Sequence, residues 1–229
     1  MRSFFFSLTL SALLAFFAAS PAGAQVAVSV EGGTLGLGVG VSIGLTPHLE
    51  GRLGAHAFDT SDRREASGID YDADARLRNA NAFLDLHPGG GGFRLTGGLI
   101  WNDNRIDARS IPTSGSYDIG GVRVPTTIVE RLDGRADFDP IVPYAGIGWG
   151  HPAASDRRFG LSLDVGAVFQ GKANVHLDPV IPAGSPILTT PGAREALNIL
   201  VQREERDLED EASDYDIYPV LSLGVWYRF

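Results

Sequence analysis

The chain contains no cysteine, which excludes a disulfide framework, a thiol nucleophile and a cysteine metal site from the outset. Lysine is almost absent too: Lys172 is the only one among 19 basic residues, so the basic side chains are arginines, the better partners for buried carboxylates. Beyond Gln25 there is no run of about 18 apolar residues, so that part of the chain holds no transmembrane helix. Nor is there a stretch of linker-like composition, and one domain is the expectation for the 229 residues. A mean hydropathy of +0.02 is far too polar for a bundle of membrane helices. It suits a membrane barrel, in which lipid-facing and lumen-facing residues average out.

What is present begins with an export signal. Arg2, the apolar stretch 4–19, helix-breaking Pro21 and the Ala22-Gly23-Ala24 site predict a secretory signal over residues 1–24, cleaved before Gln25. Residues 25–229 are then expected to form one exported domain, which the pattern below reads as an outer-membrane β-barrel domain.

Strict alternation supplies the strands. In 217–229, Ile217, Pro219, Leu221, Leu223, Val225, Tyr227 and Phe229 share one face. Residues 159–169 and 35–45 alternate in the same way, the latter with Gly36, Gly38, Gly40 and Gly44 on the second face. A face of glycines does not suit water; it suits the inside of a narrow closed barrel. Segments 49–58, 69–87, 93–101 and 143–149 read as four more strands. In 69–87 the apolar phase switches, from Ile69, Tyr71, Ala73, Ala75 and Leu77 to Ala80, Ala82, Leu84 and Leu86, which predicts a bulge at 78–80. Both termini of such a barrel lie on one side, so the strand count is even, and 25–31, with Val26, Val28 and Val30 on one face and a turn at Gly32-Gly33, is the expected eighth. Connections alternate between short (46–48, 88–92, 151–157) and long (60–68, 111–133, 179–214), the pattern of periplasmic turns and extracellular loops. The fold expected is all-β: a transmembrane, antiparallel up-and-down barrel of about eight strands.

One segment breaks the period of two. Ala193, Leu197, Leu200, Val201 and Leu208 recur at helical spacing after Pro191, predicting an amphipathic helix in the last extracellular loop. Across 194–214, eight acids stand against three arginines, about half of the formal net charge of −9.

The closing residues 218–229 (YPVLSLGVWYRF), together with 143–150 (PYAGIGWG), resemble the small outer-membrane barrels of the OmpA, OmpX and OmpW kind. That resemblance implies a bacterial outer-membrane protein whose partners are outer-membrane lipid, lipopolysaccharide and, during insertion, the barrel-assembly machinery. Leu221, Leu223, Val225, Tyr227 and Phe229 look like the signal that machinery reads. No nucleic-acid partner and no peptidoglycan-binding domain are expected, and the surface ligand is not specified.

Three groups of side chains could carry chemistry. Glu50, Arg52, Asp85, Arg94, Asp164 and Arg228 fall on inward positions near the periplasmic half; as charges buried in a small lumen must pair, they are expected to form an ion-pair plug. By phase His56, His87 and His176 point inward, and His48 and His151 lie in turns. None faces lipid near the outer rim, which speaks against a lipid hydrolase. Asp70, Asp72, Asp74, Asp137 and Asp139, interleaved with Arg76, Arg78, Arg105, Arg109 and Arg135, gather as an acidic rim above the membrane, and their spacing matches no calcium loop. The function expected is non-enzymatic, without cofactor or metal: a structural or surface-interaction role in the envelope. The alternative is a narrow channel for small or apolar solutes, and a lipid A-modifying enzyme comes behind both.

Overall fold

The computed structural model describes residues 25–66, 69–111, 115–212 and 216–229, with side chains described outside 62–71. The signal expected over residues 1–24, Asp214 and the side chain of Asp70 lie outside the described residues. In chain order the elements are β1 (Val26–Gly33), β2 (Gly36–Thr46), β3 (Leu49–Ala66), β4 (Ile69–Leu86), β5 (Phe93–Asn102), β6 (Arg105–Ile111), β7 (Ser116–Ile119), β8 (Val122–Pro125), β9 (Arg131–Asp137), β10 (Ile141–Trp149), β11 (Phe159–Phe169), β12 (Asn174–Val180), α1 (Ala193–Ala212) and β13 (Ile217–Arg228).

Eight of these strands close into an antiparallel barrel in the order β1-β2-β3-β4-β5-β10-β11-β13 and back to β1. The short first strand closes it, with Val30 opposite Val39 on one side and Val225 on the other. Its turn is not at Gly32-Gly33. Both glycines are paired within the hairpin, and the reversal falls at Thr34-Leu35, where Thr34 exchanges hydrogen bonds with Leu221 and Pro219 of β13 and its carbonyl accepts from the Tyr218 hydroxyl at 2.7 Å. Gly33 is needed for space and not for the turn, because a Cβ there would collide with the Leu221 carbonyl.

The outside of the barrel is apolar and exposed: Leu37, Leu53, Leu84, Leu95, Leu99, Ile147, Leu161, Leu221, Leu223 and Val225 all face outward. A soluble fold buries such a surface, so this belt is where lipid lies. Aromatic residues edge it, with Phe93, Trp149, Phe159 and Tyr227 towards the short-turn end and Trp101 and Phe169 towards the other.

The remaining strands build a cap on the long-connection end. Above Arg78, β4 exchanges its partner β5 for β6, so that Asn79 faces Asn102 but Arg76 faces Arg105. Strands β6, β9 and β12 then continue one sheet beyond the membrane. The hairpin β7-β8 and helix α1 pack on it around Tyr117, Ile119, Leu132, Leu177, Leu197 and Val201. Two stretches expected as loops hold strand: in 60–68, β3 and β4 run on together to Ala66 and Ile69, and 111–133 contains the hairpin β7-β8 and the start of β9.

The bulge expected at 78–80 is absent, for β3 and β4 pair without a register shift along their whole length. From Ala73 onwards the odd residues of β4 point inward: Asn79, Asn81, Phe83 and Asp85 are buried, whereas Asp72, Asp74, Arg76, Ala80 and Leu84 are exposed. The apolar phase flips because the surroundings do. Below residue 79 the outside is lipid and the inside polar; above it the outside is water and the inside belongs to the cap. The path β5 to β6 shows the same inversion, its outward residues changing from Leu99 and Trp101 to Asp103, Arg105, Asp107 and Arg109.

Candidate functional site

The lumen is the place where this fold concentrates chemistry. Period two sends Arg52 of β3, Asp85 of β4, Arg94 of β5 and Asp164 of β11 to the inside at one level, all 5% exposed or less. Arg52 donates to both Asp85 oxygens at 3.0 and 3.2 Å and to both Asp164 oxygens at 3.0 Å. Arg94 donates through Nη2 to both Asp164 oxygens at 2.9 Å and through Nη1 to the Gly150 carbonyl at 2.6 Å, with its Nε 3.6 Å from Asp85. The Thr96 hydroxyl completes Asp85 at 2.6 Å. Two arginines and two aspartates thus form a neutral ring across the bore. Arg94 occupies the space left by Gly148, where a Cβ would lie 2.9 Å from its Nε, which is the physical use of a glycine on the inner face.

The six charges grouped by sequence do not form one network. Glu50 lies apart from the ring, accepting from the Ala153 amide at 3.1 Å. Arg228, half-buried at the end of β13, makes no ion pair among the described residues, and its Nε has no hydrogen-bond partner. Sequence reasoning also missed a member. Glu31 of β1 points inward beside the ring, with Ser29 donating to it at 2.7 Å and His56 at 3.3 Å. The signal was present in the alternation of Ala27, Ser29 and Glu31, opposite the valines of that strand.

Above the ring one side of the interior turns apolar, while buried His56, Asn79, Asn81 and Asn102 keep the other side polar. Leu35, Phe83, Ile100, Val142, Tyr144, Val168 and Val220 form the apolar side, with Phe83 and Tyr144 stacked at 4.5 Å and the Arg52 guanidinium 5.2 Å from the Phe83 ring centre. Between this layer and the cap lies a cavity of about 330 Å³, lined among others by Leu77, Ile106, Phe138, Val168 and Ala212.

At the short-turn end three buried groups converge: Glu50 of β3, His87 just past β4 and His151 in the β10-β11 turn. The two imidazoles stack at 3.6 Å with 15° between planes. Burial pushes the pKa of both histidines down, helped at His87 by the Arg94 charge and at His151 by the His87 ring. His151 was expected simply in a turn; Gly150, with φ of +118°, folds it back into the mouth. His176 corrects the phase reading in the other direction, since it stands exposed on β12 of the cap.

On the cap, the acids of α1 have a structural use. Glu205 and Glu209, one helical turn apart, accept from the Leu177 and Val175 amides of β12 at 2.9 and 3.2 Å, and Glu204 accepts from the Gly120 amide at 2.8 Å. Strand β12 is the open edge of the sheet, and these carboxylates cover its donors. Of the expected rim, Asp72, Asp74, Asp137 and Asp139 are exposed, and cross-strand register places Asp72 opposite Arg109 and Asp137 opposite Arg105. Arg135 pairs with Asp107 at 3.3 Å and Arg78 with Asp59 at 2.7 Å. Leu221, Leu223, Val225, Tyr227 and Phe229 are outward and exposed, with Tyr227 and Phe229 edge to face at 5.3 Å.

No protein-family model matches the chain, and no curated protein does. Several solved structures resemble it, among them two from one organism. Acinetobacter baumannii CarO2 is 22% identical, with 89% of this chain and 98% of that one covered at a TM-score of 0.55. Acinetobacter baumannii CarO is 20% identical, with 89% and 97% covered at a TM-score of 0.52. At that identity the likeness concerns the fold: the chain is a closed, eight-stranded antiparallel β-barrel with a helix late in its sequence.

Proposed function

We propose that this chain is an integral protein of the bacterial outer membrane with a closed lumen, acting as a structural or surface-interacting element of the envelope and not as a pore. The observation that carries the reading is the neutral Arg52-Asp85-Arg94-Asp164 ring, whose paired side chains, all 5% exposed or less, cross the bore at one level. The capped end faces outward and the short turns face the periplasm, where the assembly machinery would read the strand ending in Phe229. The arginines just above the lipid belt, Arg78, Arg105 and Arg135, stand at the height of lipopolysaccharide phosphates.

In planar bilayers the protein should give no conductance steps, and liposomes containing it should not swell in small sugars or amino acids. Steady nanosiemens-scale openings would sink the closed-lumen reading. A second reading, acceptance of an apolar solute, is favoured by the cavity beneath the cap, whose size is at the lower end of small-molecule pockets. Binding of a fluorescent acyl probe, lost in Val168→Trp, would support it.

Orientation has its own test, helped by the absence of native cysteine. Asp210→Cys on the exposed side of α1 should react with an impermeant maleimide on intact cells, whereas Gly89→Cys in the β4-β5 turn should react only after the outer membrane is permeabilised. The reverse pattern would invert the topology.

A further inference from the structure

Glu50, His87 and His151 take no part in the ion ring, yet they are buried together at the turn end. We propose that they form a binding site for a borderline divalent transition ion, with Zn²⁺ as its reference occupant. Each residue brings a ligand atom within 4.8 Å of the other two. His87 is fully buried, and its Nδ1 donates to the Gly91 carbonyl at 3.0 Å. That bond fixes the tautomer, so Nε2 carries a bare lone pair, and this buried atom has no hydrogen-bond partner. His151 has a comparable setting: its Nε2, also buried and without a hydrogen bond, sits 3.8 Å from the Glu50 carboxylate.

Two buried imidazole nitrogens without a hydrogen bond, beside a carboxylate, are poorly satisfied by protein alone and well satisfied by a cation. Backbone carbonyls orienting the far nitrogens of liganding histidines are the usual outer support of such sites. Glu50 is likewise held from outside, by the Ala153 amide at 3.1 Å and the Ser42 hydroxyl. The donor set, two imidazoles and one carboxylate, suits zinc and its neighbours and does not suit calcium or magnesium, which require mostly oxygen. A fourth position remains for water. Arg94, the nearest fixed cation, is matched by Asp164 and Asp85.

Loading requires movement. A tetrahedral ion with 2.0–2.1 Å bonds sets its ligands roughly 3.3 Å apart, with lone pairs converging. The stacked rings must therefore open from their 15° angle. The backbone has room for this: His87 is followed by Pro88 and four glycines, of which Gly89 and Gly91 have no neighbour within 4 Å of a Cβ position. Once bound, the ion would tie β3 to the β4-β5 and β10-β11 turns and staple the mouth shut.

The test uses the full chain, exported into membranes, purified in detergent without a polyhistidine tag and stripped with a chelator. Calorimetric titration with Zn²⁺ should give one ion per chain, and Co²⁺ should produce the visible bands of a tetrahedral nitrogen and oxygen site. His87→Gln and His151→Gln should each weaken binding by at least the roughly 10- to 100-fold that loss of an outer partner costs, with heat-modifiable mobility retained. The pair His48→Gln and His176→Gln should leave it unchanged. Should either variant fail to fold, imidazole nitrogen-15 shifts of the wild type on zinc addition take its place: a shift at two buried Nε2 atoms supports the site. No saturable binding, or binding that follows His48 and His176, overturns it.

Discussion

Arg52→Ala should lower the melting temperature of the barrel more than any other single truncation in the lumen. Among the described residues Arg52 is the only group bonded to both aspartates through both of their oxygens, and its removal leaves Asp85 and Asp164, at 0% and 4% exposure, with Arg94 as the one remaining cation among them. A buried ion pair broken on one side costs about 3–5 kcal/mol, mostly because the surviving charge cannot return to water. The design of the ring makes a sharper statement possible. If the loss is uncompensated charge and not lost packing, adding Asp164→Asn to Arg52→Ala should recover part of the stability, giving a strongly non-additive double-mutant cycle. Arg52→Lys should rescue poorly, since an ammonium keeps the charge but cannot serve four carboxylate oxygens in one plane. Thermal unfolding in detergent, followed by circular dichroism and by heat-modifiable mobility, measures all three. A loss under about 1 kcal/mol with additive effects would mean that the ring is hydrated, as exposed pairs are, and would return the channel reading.

How much of this was legible in the sequence depends on what a period of two can carry. It shows which residues share a face, and so it placed Arg52, Asp85, Arg94 and Asp164 inside together although Arg52 and Asp164 are 112 residues apart. It cannot show what surrounds a face. The phase switch in β4 therefore read as a bulge, when the strand is regular and the solvent outside it changes from lipid to water. Nor does it show height along the bore, so Glu50, at the mouth, and Arg228, beside the terminus, were grouped with a ring they do not join. The cap was hidden for a related reason. Its strands alternate charged residues with small ones, as in Asp107, Ala108 and Arg109, and their register is set by an extension of β3 and β4 and not by any local turn. The histidine cluster depended on two turns folding back across the bore, which spacing along the chain does not encode.

The helix offers the second large effect, confined to the cap. Most helical stability in proteins comes from tertiary packing, and α1 places acids in its last turns, where the dipole opposes them. Its stability must come from docking, and two kinds of contact supply it: Leu197 and Val201 in the cap core, and Glu205 and Glu209 on the amides of β12. Val201→Asp places a charge without a partner into the first of these, a cost of several kcal/mol that exceeds what one helix face can offset. The cap should then open, so that protease cuts at Arg203 and Arg206 on intact cells, while the membrane strands and their heat-modifiable mobility stay as in the wild type. Glu205→Ala with Glu209→Ala removes only the second kind of contact. It should raise hydrogen exchange at the Val175 and Leu177 amides and expose the β12 edge, with the helix core still protected. The two variants thus separate the roles that the acidic stretch combines. If the wild-type amides from Ala193 to Ala212 already exchanged at random-coil rates, neither substitution would change anything and the docked helix would be wrong. If Val201→Asp instead abolished the heat-modifiable band, cap and barrel would be one cooperative unit, and the branch of β4 from β5 to β6 would be the joint that couples them.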